Sequence, residues 1–245
     1  MTPEPGRAPD WDEAVEWWLD GFTSGADVEY ELQILPLLVE LVTPRPGSRV
    51  LDLGTGEGQG GRSLAAAGAD VVGVDLSAPL LAAARRRSGF PLVRADIAAP
   101  LPFRDATFDA ACCVLVLEHV ADITGVFAEV ARVLRPRGVF VLMLNHPLLS
   151  APGSNWVDDT VFGEQYWQLG PYLDEVGHDE QVESGRIVRF HHRPLGIYLE
   201  ALIAAGFRLT AFREPAPVAE MGERAFEYDA QRAFPRLLAM AARSG

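Results

Sequence analysis

The chain of 245 residues has no lysine, only two cysteines, and no apolar run approaching the ~18 residues that a membrane span needs. All 21 basic residues are therefore arginine, and 34 carboxylates outweigh them to leave a formal net charge of -13. That balance argues against a nucleic-acid partner, because binding to a phosphate backbone rests on Lys and Arg displacing counterions. A free cationic ligand would instead be drawn in. Cys112 and Cys113 are neighbours in an apolar run, which is poor geometry for a disulfide and gives no metal-ligand spacing. They read as small core residues of a reduced, intracellular protein, and no metal site is expected. The opening "MTPEPGRAPDWDEAV" lacks a basic segment followed by an apolar one, so a cytoplasmic, soluble chain with no membrane partner is the expectation.

Hydrophobic residues are plentiful, at 49%, enough for a substantial core in one α/β domain spanning residues 1–245. From Trp11 to Val42 the apolar positions recur at helical spacing, which predicts a helical cover over residues 1–44 closed by "TPRPGS". Periods then alternate through residues 45–145. "RVLDLG", "DVVGVDL", "PLVRAD", "FDAACCVLVL" and "GVFVLMLN" read as strands. "GRSLAAAG", "APLLAAARRR" with Ser77 as N-cap and Gly89 closing it, and a segment from Asp122 to Leu134 ended by "RPRG" read as helices. Continuous apolar strands signal a mostly parallel sheet covered on both faces, with its ligand at the carboxyl edge. The rhythm fails over residues 146–193, a stretch rich in aromatics, Gly, Asp and Glu that reads as an inserted substrate lid. A helix "LGIYLEALIAAG" and a strand "FRLTAFRE" follow within 194–245, while "RLLAMAA" is ambiguous between strand and helix.

The first strand runs into five glycines between Gly54 and Gly61. Taken from Gly56, the loop fits the dinucleotide pattern through Gly56, Gly58 and Gly61, with Asp75 placed for a ribose. Taken from Asp52, it is D-x-G-x-G-x-G. A carboxylate at the strand mouth repels a pyrophosphate but favours the ammonium and sulfonium of S-adenosylmethionine. Asp96 adds an acceptor one strand further across the sheet, able to take an adenine amino group, with the Ile97 backbone and side chain beside it. The dinucleotide pattern does not call for that second carboxylate.

"VLDLGTGEGQGG", "VVGVDLS", "RADIAAPLPFRDATFDAACCVLVLEHV" and "EVARVLRPRGVFVL" together resemble, in order and spacing, the class I Rossmann-like S-adenosylmethionine-dependent methyltransferases, in particular the type-11 group with its bacterial small-molecule enzymes. "HHRPLGIYLEALIAAGFRLTAFREP" is similar to a carboxyl-terminal segment of a bacterial subset. The resemblance implies a three-layer sandwich around a seven-stranded sheet whose last strand, "PRLLAMAAR", runs antiparallel. It further implies that Asp52, Gly54, Gly56 and Gly58 line the methionine portion of the donor, Asp75 and Leu76 the ribose, and Asp96 and Ile97 the adenine. Val114 would sit near the sulfonium methyl, and Tyr30 also belongs to the implied donor site. Glu31 departs from the pattern, since relatives often carry a basic residue there for the donor's carboxylate.

Methyl transfer needs a base only if the acceptor's proton must leave near the transition state. His146, after the fifth strand, and His191 and His192, of which at most one is expected to face the site, are the candidate bases. His119 reads as a capping or packing residue and His178 as solvated. Aromatics in the lid and leading helix suggest a planar or hydrophobic acceptor. The resulting expectation is a methyltransferase that converts S-adenosylmethionine to S-adenosylhomocysteine on a small hydrophobic or aromatic metabolite, with hydroxyl O-methylation preferred, acting as a monomer or homodimer. A fold of this kind that binds the donor without transfer, and a nicotinamide-dependent oxidoreductase, are the alternatives.

Overall fold

The computed structural model describes residues 11–22, 27–181, 187–218 and 233–245. Strands β1 (Arg49–Leu53), β2 (Asp70–Asp75), β3 (Leu92–Arg94), β4 (Phe108–Val114), β5 (Leu134–Asn145), β10 (Phe207–Arg213) and β11 (Leu237–Ser244) form one seven-stranded sheet. Its order is β3-β2-β1-β4-β5-β11-β10, and β11 runs antiparallel to both neighbours. The expected Rossmann-like α/β architecture is thus present.

Strand side chains point to alternate faces, so each strand feeds two cores. Leu51, Leu53, Ala111, Cys113, Phe140 and Leu142 pack with α5 (Ile123–Val133) and α7 (Leu195–Ala204) on one side. Val50, Cys112, Val141 and Met143 pack with α2 (Leu35–Val42) and Leu64 of α3 (Gln59–Ala66) on the other. α1 (Trp11–Phe22) precedes a π-helical run, Tyr30–Ile34, which continues directly into α2. Both cysteines are fully buried core residues with free thiols.

Local chemistry sets the element ends. Ser77 accepts from the Leu80 N–H at 3.3 Å to cap α4 (Ala78–Arg87), and Asp122 accepts from Thr124 and Gly125 to cap α5. α4 stops because Ser88 turns extended, so Gly89 closes nothing. The "RPRG" break is absorbed into β5 as an irregularity, with Arg137 at φ 66°. β11 is a strand despite its helix-favouring Ala, Leu and Met. Leu237 to Ala242 are all buried, and two flanking strands take its backbone hydrogen bonds.

Between β5 and α7 lie a short helix, α6 (Pro147–Ser150), and two antiparallel strand pairs, β6 (Asn155–Asp159) with β7 (Glu164–Gln168) and β8 (Val176–Gln181) with β9 (Ile187–His192). No helix among the described residues is long and apolar enough to cross a membrane.

Phe127 is fully buried on α5, its ring 5.6 Å from that of Phe140. Phe127→Ala is expected to cost about 3–5 kcal/mol of stability, read as a lower urea midpoint with little change in slope.

Candidate active site

A cavity of about 350 Å³ opens at the carboxyl ends of β1, β2, β3 and β4. Asp52, Gly54, Gly56, Asp75, Leu76, Asp96, Ile97, Val114 and Tyr30 all line it. Gly58, the N-cap of α3, lies just behind at φ 90°, where an added Cβ would stand 2.5 Å from Ser88 Oγ. Gly54 has φ 68°, and a Cβ there would meet Val116 at 2.4 Å. The loop is bare because its backbone is left-handed and its neighbours press close.

Each carboxylate has defined work. Asp52, 3% exposed, accepts from Thr55 Oγ1 at 2.6 Å and Cys112 Sγ at 3.4 Å, and burial raises its pKa against the pull of those bonds. Asp75 accepts from the Gly56 N–H and the Ser77 N–H, both at 2.8 Å, which ties the glycine loop to the end of β2; burial raises this carboxyl too. Asp96, at an exposed position after β3, accepts from the Ala98 N–H at 2.9 Å. Glu57, 1% exposed, is gripped by Arg62 at 2.8 Å and Arg87 at 2.9 Å. Neither arginine lines the cavity. Among the described residues the lining holds four carboxylates, those of Asp52, Glu57, Asp75 and Asp96, and no arginine.

Trp11, Trp18, Tyr30 and His119 add aromatic rings to the lining. Burial, with the charges of Glu118, Asp27, Asp52 and Glu57, pushes the Tyr30 hydroxyl well above its ordinary pKa, so it stays a neutral donor. His119 packs edge-on against Trp11 at 4.8 Å and is no helix cap. Its Nδ1–H donates to the Arg189 carbonyl at 2.9 Å, and burial pulls its pKa down to about 4, so the ring is neutral.

The apolar run after β4 does not continue as strand. Leu115 takes φ 53°, and a single 3-10 turn, Leu117–His119, follows. Arg193, 5% exposed, holds that turn by donating to the carbonyls of Leu117, Val120 and Ala121. Neighbouring side chains of the turn then face different spaces. His119 lines the first cavity, whereas Glu118 lines a second one of about 360 Å³.

This second cavity is walled mainly by the insertion, with Trp167, His178, Phe190, His191 and His192 joined by Phe234. His191 and His192 both line it, although only one was expected to face a site. Nε2 of His192 faces the Tyr172 carbonyl at 2.9 Å and must carry the hydrogen, since that oxygen only accepts. His178 is not solvated in isolation: its ring stacks on Phe190 and its Nε2 meets Glu180 at 2.8 Å. His146 lines neither cavity. Its Nδ1 accepts from the Leu148 N–H at 3.1 Å as the N-cap of α6, and its Nε2 donates to Glu214 at 2.8 Å, so neither nitrogen is left for an acceptor's proton. Among the described residues no group of three His, Cys, Asp or Glu side chains could hold a metal.

Sequence reasoning missed Glu118 and Arg193. The signal for Glu118 was its position directly after the fourth strand, at the sheet edge where α/β ligands bind. Glu118 is 7% exposed, and burial raises its pKa despite hydrogen bonds from Asn145 N and Nδ2. A carboxyl raised on folding loses stability as pH climbs through the folded value. Glu118→Gln is therefore expected to raise the melting temperature at pH 8, by about 2–4 °C per kcal/mol relieved. The gain should vanish near pH 4, as checked by paired thermal melts.

Residues 51–142 match the family model described as a methyltransferase domain. An S-adenosylmethionine-dependent methyltransferase from Mesorhizobium loti superposes with a TM-score of 0.72 at 32% identity, covering 85% of this chain and 96% of that one. The [4+2]-cyclase SpnF shares the fold at a TM-score of 0.61 and 17% identity, over 97% of either chain. Among curated relatives, the demethylmenaquinone methyltransferase of Corynebacterium kroppenstedtii is 43% identical over 95 residues, 39% of this chain and 41% of that protein. That of Tropheryma whipplei strain Twist is 39% identical over 108 residues, 41% and 44% of the two. The chain thus spans less than half the length of the curated relatives it matches. The likeness to the Mesorhizobium loti protein over 85% of this chain, joined to the acidic glycine-loop cavity, shows that this chain belongs to the S-adenosylmethionine-dependent methyltransferases.

Proposed function

We propose that this chain transfers the methyl group of S-adenosylmethionine to a hydroxyl of a small hydrophobic or aromatic metabolite, releasing S-adenosylhomocysteine. The observation that carries the donor assignment is the first cavity's charge: four carboxylates and no arginine among the described residues that line it. A dinucleotide brings a pyrophosphate, whose charge such a lining repels. The methyl donor brings an ammonium and a sulfonium, which it favours.

In this reading Asp75 and Leu76 hold the ribose, while Asp96 and Ile97 hold the adenine. Asp52, Gly54, Gly56 and Gly58 flank the methionine end, and Val114 lies near the sulfonium. With no arginine among the described lining residues, the donor's carboxylate is left to neutral groups such as Tyr30 and Gln59. The bound donor supplies a carbon already activated for displacement by its sulfonium. The chain's own contribution is alignment and exclusion of water, worth about 7–11 kcal/mol when the reacting atoms are well placed.

Residues 146–193 serve as the substrate lid, and their histidines His191 and His192 belong to the acceptor side. Curated relatives named for demethylmenaquinone support a flat, apolar acceptor. The formal charge of -13 weighs against nucleic acid.

Calorimetric titration of the parent chain, Asp75→Ala and Asp96→Ala with S-adenosylmethionine, S-adenosylhomocysteine and NAD tests the donor site. Both sulfur compounds should bind the parent, and each substitution should weaken them by about 10- to 100-fold, the loss of a charge-assisted hydrogen bond. NAD binding indifferent to Asp96→Ala would overturn the reading.

A further inference from the structure

The second cavity collects buried polar atoms that the protein leaves without partners. Glu118 Oε2, Trp167 Nε1, His178 Nδ1 and His192 Nδ1 are each buried with no hydrogen-bond partner, and all four residues line that space. Orphaned groups of this kind are costly to bury unless something meets them. Their chemistry describes what that something is. The hydrogen of His192 is on Nε2, and the carboxylate of Glu180 keeps that of His178 on Nε2 as well. With a single hydrogen on each ring, held on Nε2, both Nδ1 atoms are acceptors. With Glu118 Oε2 they make three acceptors against one donor, the Trp167 N–H. A complementary ligand is rich in hydrogen-bond donors and carries an acceptor for the indole.

The same walls supply aromatic surface from Trp167, Phe190 and Phe234. The rings of Trp167 and Phe234 lie 6.3 Å apart by centroid. Such surfaces favour a flat aromatic body. Glu118 stands next in sequence to His119, which lines the donor cavity, so the turn Leu117–His119 borders both cavities. Of the unpartnered acceptors, Glu118 is the one on that boundary.

We infer that the second cavity is the methyl-acceptor site, that it takes a planar aromatic compound with at least two hydroxyls, and that Glu118 receives the proton of the hydroxyl being methylated. This rests on the donor reading given above. The hydroxyl oxygen forms a bond to the methyl carbon while the carbon–sulfur bond breaks and its electron pair stays on sulfur. The hydroxyl proton passes to Glu118 Oε2, which later returns it to solvent. His192 Nδ1 accepts from the second hydroxyl and sets the register of the ring.

The test uses the full chain saturated with S-adenosylhomocysteine and two neutral probes, methyl 3,4-dihydroxybenzoate and its dimethoxy counterpart, which has no hydroxyl to donate. The dihydroxy probe should bind at least about 10-fold more tightly than the dimethoxy one, the difference expected from hydrogen bonds to a charged group. Glu118→Gln should weaken the dihydroxy probe by about 10-fold. With S-adenosylmethionine present, a monomethyl ether should form, and Glu118→Gln should slow its formation by about 100-fold or more. S-Adenosylhomocysteine affinity, unchanged in that variant, verifies that it is folded. Trp167→Phe, which keeps an aromatic surface and loses the N–H, should weaken the dihydroxy probe severalfold on its own.

Equal binding of the two probes, no probe binding to a parent that binds S-adenosylhomocysteine, or undiminished turnover in Glu118→Gln would each overturn the acceptor assignment alone. A parent that fails to bind S-adenosylhomocysteine would remove the donor reading, and the acceptor assignment with it.

Discussion

The left-handed turn after β4 is the constraint on which the site depends. Leu115 accepts a φ of 53°, a conformation that L residues resist, and its N–H donates to the Met143 carbonyl at 2.8 Å. Arg193 then gathers three carbonyls of the following turn, a fixed fork replacing the ladder partners that the backbone has left. Because Arg193 follows directly on β9, one side chain joins the sheet edge to the insertion. The positions of Val116, Glu118 and His119 all follow from that joint.

The second theme is buried negative charge. Asp52, Asp75 and Glu118 are each pushed upward in pKa by burial, and hydrogen bonds only partly compensate. Glu57 solves the same problem differently, by pairing with two arginines behind the cavity. That pairing fixes the glycine loop to α3 and α4 while keeping positive charge out of the lining. A site so arranged sacrifices some stability for attraction toward a cation, the trade expected where function sets the electrostatics.

How much of this was legible depends on range. The βα alternation, the cap at Ser77, the start of a helix at Asp122, and the clustering of Asp52, Asp75 and Asp96 at one edge rest on local pattern and on one topological rule, so the sequence shows them. The strand state of β11 does not follow from propensity; only resemblance pointed to it, since tertiary pairing decides it. His146 was misleading because its capping role is local but its tie to Glu214 spans 68 residues. The strand pairs of the insertion were hidden because turns such as Asp159 to Gly163, closed by a 2.7 Å backbone bond, carry no short glycine signature between alternating strands. Glu118 and His119 looked alike as neighbours on an apolar run, and only the turn at Leu115 sends them to different cavities.

The place of β11 has a kinetic meaning. Among the described residues β10 pairs with no strand but β11, and β11 wedges between β10 and β5, whose residues lie about a hundred positions earlier in the chain. As the chain emerges, β10 has no ladder to join, and the β5 edge stays open until residues 237–244 arrive. Pairing at such sequence separation bears a large closure entropy and comes late. During that interval the apolar edge of β5 is a template for intermolecular pairing, so nascent or truncated chains of this fold are exposed to aggregation and to chaperone capture in a way the finished sheet is not.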